Sequence, residues 1–182
     1  MSLKLKRICF HHTGGSYGIE DPKKKGKYTP NQTDWLAYHA TVGPDKIVTL
    51  GKYKPEDNIP PLTPKQYAPH CGGGNSYTIG VAFRCNHLFT VADPTYTPYP
   101  LTRAMFEAGV QWAAGQCIKY GIPVTPDTVY THYEFGIKNP KTASRGKIDI
   151  TYLPWEPHIK PGDVGDYFRD KVQWYVNQGN TK

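Results

Sequence analysis

Apolar residues fall in short β-like runs over the first half of the chain and at helical spacing in two later segments. Leu5 to Phe10 is β-branched and aromatic, leads into His11-His12-Thr13 and is stopped by Gly14-Gly15. This is the pattern of a short buried strand whose end faces a loop-built cleft. Tyr38–Val42 and Lys46–Leu50 are two β-prone runs joined by Gly43-Pro44-Asp45, which predicts a hairpin. Thr78–Arg84 and Thr128–Tyr133 read as two further strands, the latter ending at His132. Leu101–Tyr120 is the clearest helix: Thr102 can cap its start, Met105, Gly109, Trp112, Ala113 and Gln116 share helical spacing, and Gly121 with Pro123 closes it. A second helix is expected over Asp163–Gln178, where Val164, Phe168, Val172 and Tyr175 form one apolar stripe.

Between these elements the pattern is irregular. Ser16–Asn31 is rich in Gly, Pro and Lys and reads as a loop with at most a helical turn after Pro30, bordering the cleft. Pro55–Gly74 carries five prolines and three glycines, so a long irregular segment is expected there, of the sort that tends to be functional. The stretch from His132 to Trp155 also reads as loop. There is no internal repeat. The whole predicts one α/β domain spanning residues 1–182, a central mixed sheet flanked by helices with long loops at its edge; 182 residues suffice for one sizeable core.

Composition adds little to fold and more to partners. A formal charge of +7 favours encounter with a polyanion, whether nucleic acid, an anionic membrane face or the acidic bacterial wall. No basic run is interleaved with aromatics, and Lys23, Lys24, Lys25 and Lys27 sit beside Pro22 and Gly26 as in a solvated turn, so nucleic acid has no motif behind it. The N-terminal apolar run is far too short for a signal core or a membrane span, which predicts a chain that is cytoplasmic as synthesised and has no stable membrane association. Cys9, Cys71, Cys85 and Cys117 are scattered with no Cys-x-x-Cys pair, as in reduced, buried thiols.

Chemistry is concentrated in the histidines. Those near predicted strand ends, His11, His12, His39 and His132, are better candidates than His158 in its Pro-flanked tail, although a lone histidine is an ordinary core or surface residue more often than a ligand. What singles some of them out is an ordered set: Ile8-Cys9-Phe10-His11-His12-Thr13, Tyr38-His39 before the hairpin, Asn75 to Val81, Thr131-His132-Tyr133, and Lys147-Ile148-Asp149. In this order the chain resembles the type-2 N-acetylmuramoyl-L-alanine amidases, which include phage amidase lysozymes and peptidoglycan recognition proteins. The resemblance covers roughly residues 5 to 155.

That resemblance implies a zinc cleft with His11, His132 and Asp149 as metal ligands, His11 being preferred to His12. Two imidazoles and one carboxylate are a donor set zinc accepts, and three protein ligands leave a position open for water or substrate. It further implies Tyr38 as assistant to the hydrolytic water and Lys147 as stabiliser of the oxyanion. His70 and Asn75 are assigned to substrate contact or loop shaping. Wall-recycling members carry a glutamate where this chain reads Ile79-Gly80-Val81-Ala82; Glu134 is the alternative acid. His39, alternating with Tyr38, is expected to be structural, and Cys9 a buried thiol. The implied activity is hydrolysis of the muramic acid to L-alanine bond in peptidoglycan or a muropeptide by a monomer. A phage or prophage endolysin is the expected setting. A recycling amidase, an injected effector or a non-catalytic recognition module are the alternatives.

Overall fold

The computed structural model describes residues 4–86 and 97–179. Its centre is a five-stranded sheet formed by β1 (Arg7–His12), β4 (Ala40–Val42), β5 (Val48–Leu50), β6 (Thr78–Phe83) and β7 (Val129–Thr131), in the order β5-β4-β6-β1-β7. The four strands from β4 to β7 in that order run parallel, and β5 closes the hairpin antiparallel to β4. The expected α/β class with a mixed central sheet flanked by helices is therefore what the chain adopts.

Alternation along the strands sorts the two faces. Ile8, Phe10, Val42, Ile79, Val81, Phe83 and Val129 face the long helices α2 (Arg103–Tyr120) and α4 (Val164–Asn177) and form the main core with them. Its centre is aromatic: the Phe168 ring lies 4.8 Å from that of Phe10 and 4.9 Å from that of Phe106. Burying each such side chain stabilises the fold by about 1.5–3 kcal/mol. Thr102 caps α2 by accepting a hydrogen bond from Met105 N–H, and Gly121 ends it in the left-handed conformation at φ 65°. The other face carries Cys9, His11, Gly80, Ala82 and Tyr130, and the long irregular segments fold over it.

Three segments differ from their reading as loop. Within 16–31, β2 (Ile19–Glu20) and β3 (Tyr28–Thr29) form a small antiparallel ribbon. It is pinned from beneath by the fully buried Arg84, whose guanidinium donates to the carbonyls of Tyr17 (2.9 Å) and Tyr28 (3.4 Å). Asn31 accepts a hydrogen bond from Asp34 N–H and so caps a short helix, α1 (Gln32–Ala37), longer than the single turn expected. Finally, the strand expected to run to Tyr133 stops at Thr131, because Thr131 begins α3 (His132–Lys138). Its hydroxyl accepts from Glu134 N–H while the Glu134 carboxylate accepts from Thr131 N–H, a capping box.

Candidate metal centre

His11 leaves the end of β1 on the loop-covered face, and His132 is the first residue of α3, immediately after the neighbouring β7. Asp149 arrives from the following loop, tied down where its carbonyl accepts from Tyr133 N–H at 2.6 Å. All three are buried. His11 Nδ1 lies 3.1 Å from His132 Nδ1 and 3.0 Å from Asp149 Oδ2, and His132 Nδ1 lies 3.2 Å from the same oxygen. These spacings match the edge, about 3.3 Å, of a tetrahedron with metal–ligand bonds of about 2.0 Å.

The outer hydrogen bonds fix which nitrogens are free. His70 Nε2 lies 3.1 Å from the Thr78 carbonyl, which can only accept, so this nitrogen carries the proton. Burial keeps His70 neutral, leaving its Nδ1 to accept from His11 Nε2 at 3.0 Å. The proton of His11 is thereby placed on the far side of the ring, and Nδ1 presents a lone pair. His132 is oriented in the same way. The Ser144 hydroxyl donates to the Gly72 carbonyl at 2.7 Å, so its oxygen accepts from His132 Nε2 at 2.9 Å. Two imidazole lone pairs and a carboxylate oxygen thus converge on one point, an arrangement that repels itself unless a cation or a proton sits there. The group is one that can hold a metal ion.

Without metal, a proton fills that role. His132 is raised to about 9: burial alone would lower it, but the hydrogen bond and charge of Asp149, with Cys71, overcome burial. Burial likewise opposes ionisation of Asp149, yet the two histidines hold its carboxyl well below the usual range. His11 is lowered by burial despite Asp149.

Close approach depends on two glycines. A Cβ at Gly80 would lie 2.4 Å from His70 Cγ, so only glycine lets the His70 ring pack against β6 there, edge-on to His11 at 81°. A Cβ at Gly136 would lie 2.2 Å from the Ser144 carbonyl oxygen, so its absence lets the 142–146 turn bring Ser144 to His132. From the other side, Arg169 of α4 makes a two-pronged ion pair with Glu134 (2.8 and 3.0 Å) and donates to the Val129 carbonyl, which holds the start of α3 against the core.

The remaining candidates separate into neighbours of the centre and residues committed elsewhere. The Tyr38 ring lies 5.2 Å from that of His11, and burial, then the Asp149 charge, pushes its phenol well up. Lys147 is on an exposed turn two residues before Asp149; among the described residues its ammonium makes no hydrogen bond or ion pair. Asn75 shapes the loop: its Oδ1 accepts from Cys71 N–H and its carbonyl from Asn58. Glu134 is occupied by the cap and by Arg169 and is not an acid lining the cleft. His39 Nδ1 accepts from Gly80 N–H and its Nε2 donates to buried Asn58. Cys9 is buried beside Cys71, Tyr130 and Phe135, and burial with Cys71 keeps its thiol protonated. Ser144 and Arg169 were not singled out by sequence. Ser144 left no signal, whereas the Thr131-x-x-Glu134 capping signature was legible as a helix start.

A buried His, His, carboxylate cluster at the ends of two parallel strands defines a candidate mononuclear metal centre. The N-acetylmuramoyl-L-alanine amidase family matches residues 1–149, which takes in all three members of the cluster, and the chain belongs to that family. No curated protein matches it. A similar solved structure is that of tracheal cytotoxin bound to the ectodomain complex of peptidoglycan recognition proteins LCa and LCx; the identity is 16%, the TM-score 0.45, and 80% of this chain and 79% of that one are covered. Among the described residues, no helix is long and apolar enough to cross a membrane.

Proposed function

We propose that this protein hydrolyses the amide between N-acetylmuramic acid and L-alanine in peptidoglycan, with zinc held by His11, His132 and Asp149. The observation that carries this reading is the convergence of two imidazole nitrogens and a carboxylate oxygen at 3.0–3.2 Å, each histidine oriented from behind. Zinc bound there would supply Lewis-acid activation of water and of the scissile carbonyl.

The protein's own groups do the rest. Tyr38, whose ring lies beside that of His11 and whose phenol burial keeps protonated across the working range, would donate a hydrogen bond to the attacking water or the departing amine. Lys147, exposed and without a side-chain partner among the described residues, would supply positive charge to the oxyanion. His70 keeps the His11 proton on Nε2. The catalytic unit includes α4, since Arg169 on that helix anchors Glu134 and with it the His132 end of α3.

A net charge of +7 suits action on an acidic wall, and we place the protein as a phage or prophage endolysin. The test is digestion of purified peptidoglycan with and without a zinc chelator, read by mass spectrometry. Chelator-sensitive release of peptides beginning with alanine, without new reducing sugar ends, is expected. Tight binding with no products would replace hydrolysis by recognition, and a preference for soluble muropeptides over intact sacculi would replace the endolysin by a recycling enzyme. Tyr38→Phe should keep zinc and slow turnover.

A further inference from the structure

His11 has a second nitrogen, and on that side lies another set of donors that the proposed hydrolysis does not use. Cys9 is two residues before His11 on the same face of β1 and is the register partner of Gly80. Because Gly80 has no side chain, the His70 ring lies over it and so beside Cys9. The donor atoms of Cys9, His11 and His70 all lie within 4.8 Å of one another, and the three residues are buried. Two of those atoms, His11 Nε2 and His70 Nδ1, are already 3.0 Å apart. His70 is presented correctly, since its Nε2 proton is spent on the Thr78 carbonyl and its Nδ1 lone pair points at the gap.

We propose that Cys9, His11 and His70 form a second cation site, for soft, thiophilic d10 ions, and that it is an alternative to the hydrolytic centre because the two share His11. A thiolate with two imidazoles favours soft ions, whereas two imidazoles with a carboxylate suit a borderline ion such as zinc. One edge of the triangle, His11 Nε2 to His70 Nδ1, is 3.0 Å, and Cys9 Sγ completes it within 4.8 Å of both. Occupation releases one proton, from Cys9 Sγ. The His11 proton relocates from Nε2 to Nδ1, where it donates to Asp149 Oδ2 at the 3.0 Å already present. A neutral imidazole ligating through Nε2 is protonated at Nδ1, so the hydrolytic centre loses one of its three ligands. A soft ion would therefore shut the enzyme down from beneath the cleft. The exclusivity and this last consequence rest on the proposed zinc centre; the site itself does not.

Cadmium is the probe, added to the metal-free protein and, separately, to the zinc-loaded protein. In wild type we expect one cadmium per chain, with the near-ultraviolet band of thiolate-to-cadmium charge transfer, and X-ray absorption showing one sulfur in the first shell. In the zinc-loaded protein, zinc should be released as the band grows. Cys9→Ser should remove the band and still bind zinc, while Cys71→Ser should keep it. A first shell of nitrogen and oxygen only in wild type, or a band that survives Cys9→Ser, overturns the site. Two ions bound together per chain overturn the exclusivity. None of these readouts uses peptidoglycan, so failure of the amidase reading would leave them untouched.

Discussion

Gly80→Ala isolates the claim that His70 orients His11. The added Cβ would sit 2.4 Å from His70 Cγ, 2.6 Å from Cδ2 and 2.8 Å from Nδ1. Carbon atoms rest at about 3.5–4.0 Å, so the ring must retreat by roughly 1 Å. The 3.0 Å bond from His11 Nε2 then opens to a distance at which no hydrogen bond remains. Overpacking of this kind costs about 1–3 kcal/mol in stability. Losing the group that orients a metal-bound histidine lowers metal affinity by about 10–100-fold. Zinc affinity measured by competition with a chromophoric chelator should fall by that factor, in protein shown by circular dichroism to be folded. Gly15→Ala is the control, because a Cβ there meets nothing within 4 Å. Affinity within twofold of wild type in folded Gly80→Ala protein would refute the idea that the His70 contact sets the tautomer of His11.

Ser144→Ala removes the acceptor of His132 Nε2 and should weaken zinc by about tenfold without disturbing the fold; the same chelator competition reads it, and an unchanged affinity would mean that His132 is held by other contacts. Glu134→Gln should lower stability by about 1.5–3 kcal/mol, since Arg169 loses one of its two carboxylate partners and keeps Asp166, while turnover per folded molecule is retained; a large loss of kcat in folded protein would restore Glu134 as the catalytic acid. His39 supplies a pH dependence: burial, against the hydrogen bond to Asn58, lowers it to about 4, so in the acid range the unfolded chain binds a proton that the folded one refuses. Its contribution is full above about pH 6.5 and is lost as pH falls through 4, up to about 3 kcal/mol. Urea unfolding from pH 7 to 4 should show a shallower decline for His39→Gln than for wild type, and equal slopes would disprove the assignment.

The sequence carried the strands and long helices because their patterns are local. The run before His11, the Thr102 cap and the Gly121 terminus each act within a few residues. The three members of the candidate metal centre were reachable only through an ordered resemblance, since nothing in the spacing of His11, His132 and Asp149 declares that they meet. Their meeting is set by strand adjacency, β1 beside β7, which is a property of the folded sheet. Other features stayed hidden for the same reason. Arg84 reads as an ordinary strand-end cation, yet it is fully buried under the ribbon it pins. Ser144 is one serine in a polar loop until Gly136 lets that loop close on His132.

Glu134 shows most clearly how a chemically suggestive residue is reassigned by packing. Two residues from His132, it has the right chemistry for a general acid. Its carboxylate instead satisfies Thr131 N–H and both prongs of Arg169, so its lone pairs are committed and its charge is neutralised from the core side. Catalysis asks for a group whose proton or lone pair is free at the cleft. Glu134 fails that test; Tyr38, beside His11 with its phenol kept protonated by burial, is the donor we propose. The same reasoning separates His70 from His39. Both are buried and neutral, but His39 spends its two nitrogens on Gly80 and Asn58, whereas one nitrogen of His70 faces His11 and carries the orientation of the fold to the candidate metal centre.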